Sequence, residues 1–327
     1  MLLALAGGLL LALWLSVASG PVHIAWNQTL AIVLHRPDGA TPAQRLIVNR
    51  IRLPRALSAV LVGWILAVSG MTMQGLFQNA LASPYLLGIA SGASAGAAAV
   101  IALDLQRTLG GWALPLSAFV GGSLAVLLAQ RLAQLRAGAR PSHTLILAGI
   151  ALGALFSSAT TFLIVISGER LREIVFWTMG NLGRLRWSEL AWLGPLTLLG
   201  TSVLALYMRE LNALALGEAS AVHLGLNPKR LRWLLLFVTT LLTSAAVALA
   251  GTIGFVGLIT PHALRLVLGP DQRLLLPASA LGGALFLLLS DTLARTALAP
   301  LELPVGVLSA LVGAPVFLLL LLGRDER

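Results

Sequence analysis

Apolar residues in this chain come in long blocks rather than in strict alternation, which predicts helices and not strands. After a first block at Met1 to Ala18, further blocks cover roughly Ala56 to Phe77, Pro84 to Leu103, Trp112 to Leu132, Thr144 to Ile166, Leu190 to Tyr207 and Leu234 to Ala250. Three more follow at roughly Gly254 to Leu268, Leu274 to Leu293 and Leu303 to Leu322. A membrane-crossing helix needs about 20 apolar residues, and most of these blocks reach that length. Gly254 to Leu268 falls short. Flanked by Gly251, Gly254 and Gly257 and broken by Pro261, it is expected to pack inside the bundle. Met1 to Ala18 has no charged region before it and no small-residue cleavage pattern after it, so it reads as a retained first span. The pattern predicts an all-α, polytopic membrane protein of one domain, residues 1–327, with about ten helices and both ends on one side.

Three stretches depart from this pattern. Residues 19–51 carry His23, Trp26, His35, Arg36, Asp38, Arg45 and Arg50 with Pro37 and Pro42, too polar to span and expected along the extracytoplasmic surface. The stretch Arg52 to Ala98 has a paired-arginine entrance, a long apolar run, and then a polar break at Gln74, Gln78 and Asn79. Backbone that leaves the helix at membrane depth must be buried in protein or line a watery cavity. This stretch therefore reads as half of a translocation pathway, with Ser69, Gly70, Met71 and Met73 as a small and apolar lining. The third stretch, residues 209–232, is a long connection in which Leu211, Leu214, Leu216, Ala219, Val222 and Leu224 recur at helical spacing. It either folds back under the bundle or offers an apolar face to another protein.

Composition agrees with the class and closes off others. With 58% hydrophobic and 10% charged residues, and a mean hydropathy of +0.92, the chain is unlike a soluble globule, in which about a quarter of residues are charged. The formal charge of +10 is almost wholly arginine, Lys229 being the one lysine. Those arginines are scattered among apolar blocks and form no nucleic-acid-binding run; they suit lipid headgroups or acidic partners. The 22 basic residues divide evenly between the two faces, so positive-inside bias does not orient the chain. The basic outer face is explained equally by headgroup anchoring or by an acidic docking partner. With no cysteine, thiolate metal sites and cysteine nucleophiles are excluded. Five histidines, His23, His35, His143, His223 and His262, stand far apart without ligand spacing. No metal site and no enzyme activity are expected. A phosphate-binding loop requires Gly-Lys-Ser/Thr, whereas Lys229 follows Pro228, so this chain does not bind ATP in that way.

Five motifs stand in a fixed order: RLPR at Arg52 to Arg55, SGMTMQGLFQNALASPYLLGIASGASAG, LNALALGEASAVHLGL, GTIGFVGLITPHALRL at Gly251 to Leu266, and LELPVGVLSALVGAPVFLLLL. Together they resemble the permease subunit of the iron-siderophore, haem and cobalamin family of ABC importers over nearly the whole chain. One departure is Asn79-Ala80-Leu81, where the family commonly has Asn-Pro-Leu.

The resemblance implies a type II ABC importer architecture in the bacterial inner membrane, with both termini cytoplasmic. It implies a homodimer, two ATPase subunits that hold ATP and Mg, and a periplasmic or lipid-anchored binding protein; this chain itself would hold no cofactor. It assigns Arg52, Arg55 and Arg295 to binding-protein docking, with an i,i+4 pair to Asp291 as the plain alternative for Arg295. Leu216, Gly217, Glu218, Ala219 and Ser220 match the family's ATPase-coupling helices. Asn79 and Leu81 match its cytoplasmic gate, joined by Ser142 and His143, with Met71 and Gln74 on the pathway; for Ser142 a helix cap is the alternative. The expected cargo is an iron complex, ferric siderophore or haem, with cobalamin as the alternative. A proton-coupled secondary transporter is the alternative of a different class, with His262 the best relay candidate.

Overall fold

The computed structural model describes residues 1–34, 36, 40–135 and 141–322, except for the side chains of 141–143 and 320–322. Its helices are α1 (Leu2–Ala18), α2 (Trp26–Val33), α3 (Pro42–Leu46), α4 (Leu53–Phe77), α5 (Ile89–Ala102), α6 (Leu105–Leu109), α7 (Ala113–Leu135) and α8 (Pro141–Ile166). They continue as α9 (Leu171–Thr178), α10 (Trp187–Leu206), α11 (Met208–Ala215), α12 (Glu218–His223), α13 (Pro228–Ala250), α14 (Val256–Leu268), α15 (Gln272–Thr296) and α16 (Val305–Leu322). Among the described residues there is no strand. Among the described residues, six helical stretches are long and apolar enough to cross a membrane, and four shorter apolar helices, α1, α5, α14 and the described part of α16, accompany them. Together they account for the ten expected.

Two expected boundaries move. The block Pro84 to Leu103 is not one helix: Pro84–Leu87 forms a 3-10 turn, and Gly88 at φ +83° separates it from α5. Proline suits the first turn of a helix and glycine the left-handed conformation, so the sequence carries this break. The polar segment 19–51 does contain short helices, but its last turn, Ile47–Arg52, is π-helical and runs directly into α4.

α4 is the axis of the bundle. Of its 25 residues, 19 are buried, including every position from Ile65 to Leu76. It packs against α15, α14, α13 and α10. Hydrocarbon gives helices no hydrophobic reason to associate, so close contact through small residues takes over. At the α4–α14 crossing a β-carbon on Gly70 would stand 1.8 Å from the carbonyl oxygen of Gly257, and no side chain fits there. At 1.5 Å per residue, α4 spans about 38 Å, enough to set its two ends on opposite faces of a membrane.

The tightness at Gly70 yields a paired prediction. Gly70→Ala should force the two helices apart and destabilise the protein by about 1–3 kcal/mol, read as a lower melting temperature in detergent. Gly254→Ala, whose β-carbon would meet nothing within 4 Å, should leave the melting temperature unchanged.

Candidate functional site

At the end of the bundle where α4 begins, the predicted docking arginines converge, and all three are buried. Arg55 lays Nε between both carboxylate oxygens of Asp291, 3.1 Å from each, and sends Nη1 to Glu302 at 2.8 Å. Arg295, one turn on from Asp291, approaches the same carboxylate at 3.3 Å. It also donates to the Ser16 carbonyl at 2.8 Å, the Ser16 hydroxyl at 2.9 Å and the Ser19 carbonyl at 3.2 Å. Arg52 donates to the carbonyls of Val17, Ala18 and Val22. The carbonyls that α1 leaves open at its C-terminus are thus satisfied by two guanidinium groups from α15 and the turn before α4.

The side chain of Asp291 is 0% exposed and that of Glu302 46% exposed. The i,i+4 pair expected between Arg295 and Asp291 is present, but it is buried and shared with Arg55 rather than lying on the surface. The sequence reading missed Asp291 as the hub and Glu302 as the acid at its rim. A lone acid in an apolar run was the available signal. Charge remains on this surface nearby, at the exposed Arg50, Arg184 and Arg186. The Trp187 indole N–H donates to the Asn49 carbonyl at 2.8 Å, joining the start of α10 to the turn that carries Arg50.

The opposite end holds the expected gate and coupling residues. α4 stops at Gln78, which adopts φ +49°. Asn79 accepts the Leu81 N–H on its side-chain oxygen at 2.9 Å, an Asx turn that closes the loop without the family's proline. Asn79 and Leu81 are exposed, whereas Met71 and Gln74 are fully buried in the bundle. Gln74 donates to the Leu258 carbonyl of α14 at 2.9 Å. Ser142 and His143 begin α8, with side chains outside the described residues.

The connection 209–232 is partly folded back into the bundle and partly exposed. Leu211 and Leu214 of α11 and Ala221 of α12 are 0% exposed in the core, while Leu216, Val222 and Leu224 are 72%, 56% and 64% exposed. Gly217 breaks the two helices at φ +106°, and Glu218, Ala219 and Ser220 lie on the exposed side of α12. Asn212 fastens α11 to the start of α15: its amide donates to Asp271 at 2.7 Å and its oxygen accepts the Gln272 N–H at 3.0 Å. The Arg273 backbone N–H, and then the Asn212 amide, hold the Asp271 carboxyl below the usual carboxylate range.

Between the two ends, α13 and α14 are separated by a non-helical run, Gly251–Phe255. Gly251 sits at φ +73°, with a would-be β-carbon 2.2 Å from the Trp177 carbonyl oxygen, so no other residue fits. The carbonyls that the break leaves open find donors from three directions. Asn181 N–H reaches Ala250 O at 2.7 Å, the Tyr85 hydroxyl reaches Ile253 O at 2.8 Å, and Ser309 reaches Gly254 O at 3.2 Å. Irregular backbone at membrane depth is tolerated where it is buried in protein or lines a cavity. The run faces a cavity of about 610 Å³ lined by Thr178, Met179, Thr252, Gly254, Ala310 and Ala314 among others. Its other side faces a smaller one of about 180 Å³, beside Tyr85 and Leu258.

Removing one partner of a buried ion pair strands the other charge and costs about 3–5 kcal/mol. Asp291→Ala should therefore collapse the melting temperature, by leaving Arg55 and Arg295 without their shared acid. Glu302→Gln, at the half-exposed rim, should change stability by no more than about 1 kcal/mol.

Comparison with known proteins converges with this geometry. The model of the FecCD transport family matches residues 8–323. The cobalamin import system permease protein BtuC of Halobacterium salinarum is 43% identical over 300 residues, 91% of this chain and 79% of that protein. The hemin transport system permease protein HmuU of Yersinia pestis is 46% identical over 281 residues, 85% of this chain and 83% of that one. A solved ABC transporter assigned to the metal-chelate type, in an inward-facing conformation, superposes with a TM-score of 0.86 at 34% identity, covering 98% of both chains. Ten apolar helices, a helix break beside an open cavity and a match across almost the full length agree: the chain belongs to the FecCD transport family of ABC-transporter permeases.

Proposed function

We propose that this chain forms, as a homodimer, the membrane path of an ATP-driven importer that takes up an iron complex, a ferric siderophore or haem, handed over by a binding protein. The observation that carries the reading is the division of the two ends. One presents an exposed apolar patch on α12 and its flanks, with Leu216 before the helix, Val222 on it and Leu224 after it exposed; the other presents arginine around a carboxylate hub. Nucleotide would be bound and hydrolysed by two separate ATPase chains, since this sequence lacks a phosphate-binding loop. The α12 face, from Leu216 to Ser220, would seat in those subunits on the cytoplasmic side, with both termini on that side too.

At the far end, three guanidinium groups against two carboxylates leave the cluster one positive charge in excess. Arg52, Arg55 and Arg295 then act from beneath the surface, and Arg50, Arg184 and Arg186 meet the acids of the binding protein directly. Such complementarity chiefly steers association and fixes register. The cavity of about 610 Å³ would be one protomer's share of the path. Its lining of Gly254, Gly306, Val307, Ala310 and Ala314 is small and apolar, which suits a bulky chelate and discriminates weakly. Cobalamin is the competing cargo, favoured by the name of the Halobacterium relative.

If α12 is the ATPase seat, Leu216→Glu combined with Val222→Glu should abolish co-purification of the co-expressed ATPase and leave the permease's melting temperature unchanged, both side chains being exposed. Retained ATPase binding in that variant would contradict the assignment. Leu214→Glu, in the core, should instead fail to fold.

A further inference from the structure

Two side-chain hydrogen bonds stand in series between the α11–α12 end and the cavity wall. Gln78, in its left-handed turn at the end of α4, donates its amide to the Leu214 carbonyl at 2.7 Å. Leu214 is the last buried residue of α11 and lies two positions before the exposed Leu216. From Gln78 the chain passes through the Asx turn at Asn79 and enters the 3-10 turn at Pro84. There Tyr85 directs its hydroxyl at a single residue, Ile253: it donates to the carbonyl at 2.8 Å and accepts the N–H at 3.2 Å.

One hydroxyl thus satisfies both backbone groups at the middle of the break, where neither helix offers them a partner. Two residues on, Phe255 holds φ +68°, a conformation rare for any side chain and rarer for a bulky one. It persists only where its surroundings hold it. Gly254, between them, borders both the cavity of about 610 Å³ and the cavity of about 180 Å³. The wall between the two is therefore one residue thick at that point, and Tyr85 braces it from the smaller side.

We propose that Gln78 and Tyr85 are positioning residues that pass movement of α11 and α12 to the Gly251–Phe255 wall of the large cavity. This rests on the reading of α12 as the ATPase seat. A shift of α11 draws on Gln78 through the Leu214 carbonyl; the short, turn-rich segment from Gln78 to Tyr85 transmits it; and Tyr85 moves Ile253 by both its backbone groups. Neither side chain touches cargo.

The absence of cysteine makes a selective test available. Ala310→Cys places one thiol on the cavity lining. Its maleimide labelling rate is measured in membranes with the co-expressed ATPase, without nucleotide and with ADP plus vanadate. In the otherwise unaltered chain the rate should change several-fold between the two conditions. Tyr85→Phe and Gln78→Leu should each shrink that change at least twofold with ATPase co-purification preserved; Gln78→Leu should keep the melting temperature, whereas Tyr85→Phe, which strands both Ile253 backbone groups, should lower it. Because the links act in series, the double variant should lose no more than the greater single loss. A full nucleotide-dependent change in either single variant, an additive double variant, or no change in the parent with ATPase bound would overturn the relay alone. A purely structural role would leave the ratio between conditions intact whatever the melting temperature does, and that would overturn the relay. Failure of the ATPase to co-purify with the parent would overturn the function reading, and the relay with it.

Discussion

A peptide group without a hydrogen-bond partner costs several kcal/mol in hydrocarbon, and this constraint governs where the chain leaves the helix. The run Gly251–Phe255 is non-helical at membrane depth, so the Ala250 carbonyl just before it and the Ile253 and Gly254 carbonyls within it draw donors from Asn181, Tyr85 and Ser309 in turn. The same run is closely approached by α16: Gly306 donates its N–H to Met179 and would place a β-carbon 2.8 Å from the Thr252 carbonyl, and Gly313 would place one 2.7 Å from Phe255. The 3-10 turn at Pro84, the residues after α9 and the start of α16 are thus held where they are by one irregular segment. The cavity is bounded by what satisfies it.

The second constraint is charge. Five ionisable side chains gather at one end, and the most buried of them, Asp291, is accompanied by two guanidinium groups. A buried ion pair is by itself weak evidence of added stability, because desolvation offsets its attraction. Here the cluster joins α1, α4 and α15, since Arg52 and Arg295 close the C-terminus of α1 and Arg55 bridges α4 to α15. Arg52, Arg55 and Arg295, expected at a docking surface from motif position alone, therefore have a structural duty, and the exposed charge at this end is carried by Arg50, Arg184 and Arg186.

Class and helix order were legible in the sequence because apolar block length is a one-dimensional property that lipid reads directly. The break after Ala250 was legible too, through Gly251, Gly254, Gly257 and Pro261, whose backbone preferences do not depend on distant partners. The connection 209–232 was legible only as an ambiguity: periodicity shows that apolar residues recur, and tertiary packing decides that Leu211 and Leu214 turn inward while Leu216 and Val222 do not. Burial of Arg52, Arg55 and Arg295 was illegible, for an arginine at the end of an apolar block reads as surface until the carbonyls of Val17 and Ser16 and the carboxylate of Asp291 are placed against it. Tyr85 passed as an ordinary aromatic in SPYLLG, since its partner is 168 residues away.

The central claim is that ATP hydrolysed on a partner moves a cargo through this chain. The most direct measurement is uptake into proteoliposomes containing the permease with its co-expressed ATPase and binding protein, offered ferric siderophore, haem and cobalamin in turn. Accumulation of one iron complex that requires both ATP and the binding protein is the predicted result. Uptake driven by a proton gradient without nucleotide, or undiminished when the ATPase is left out, would contradict it.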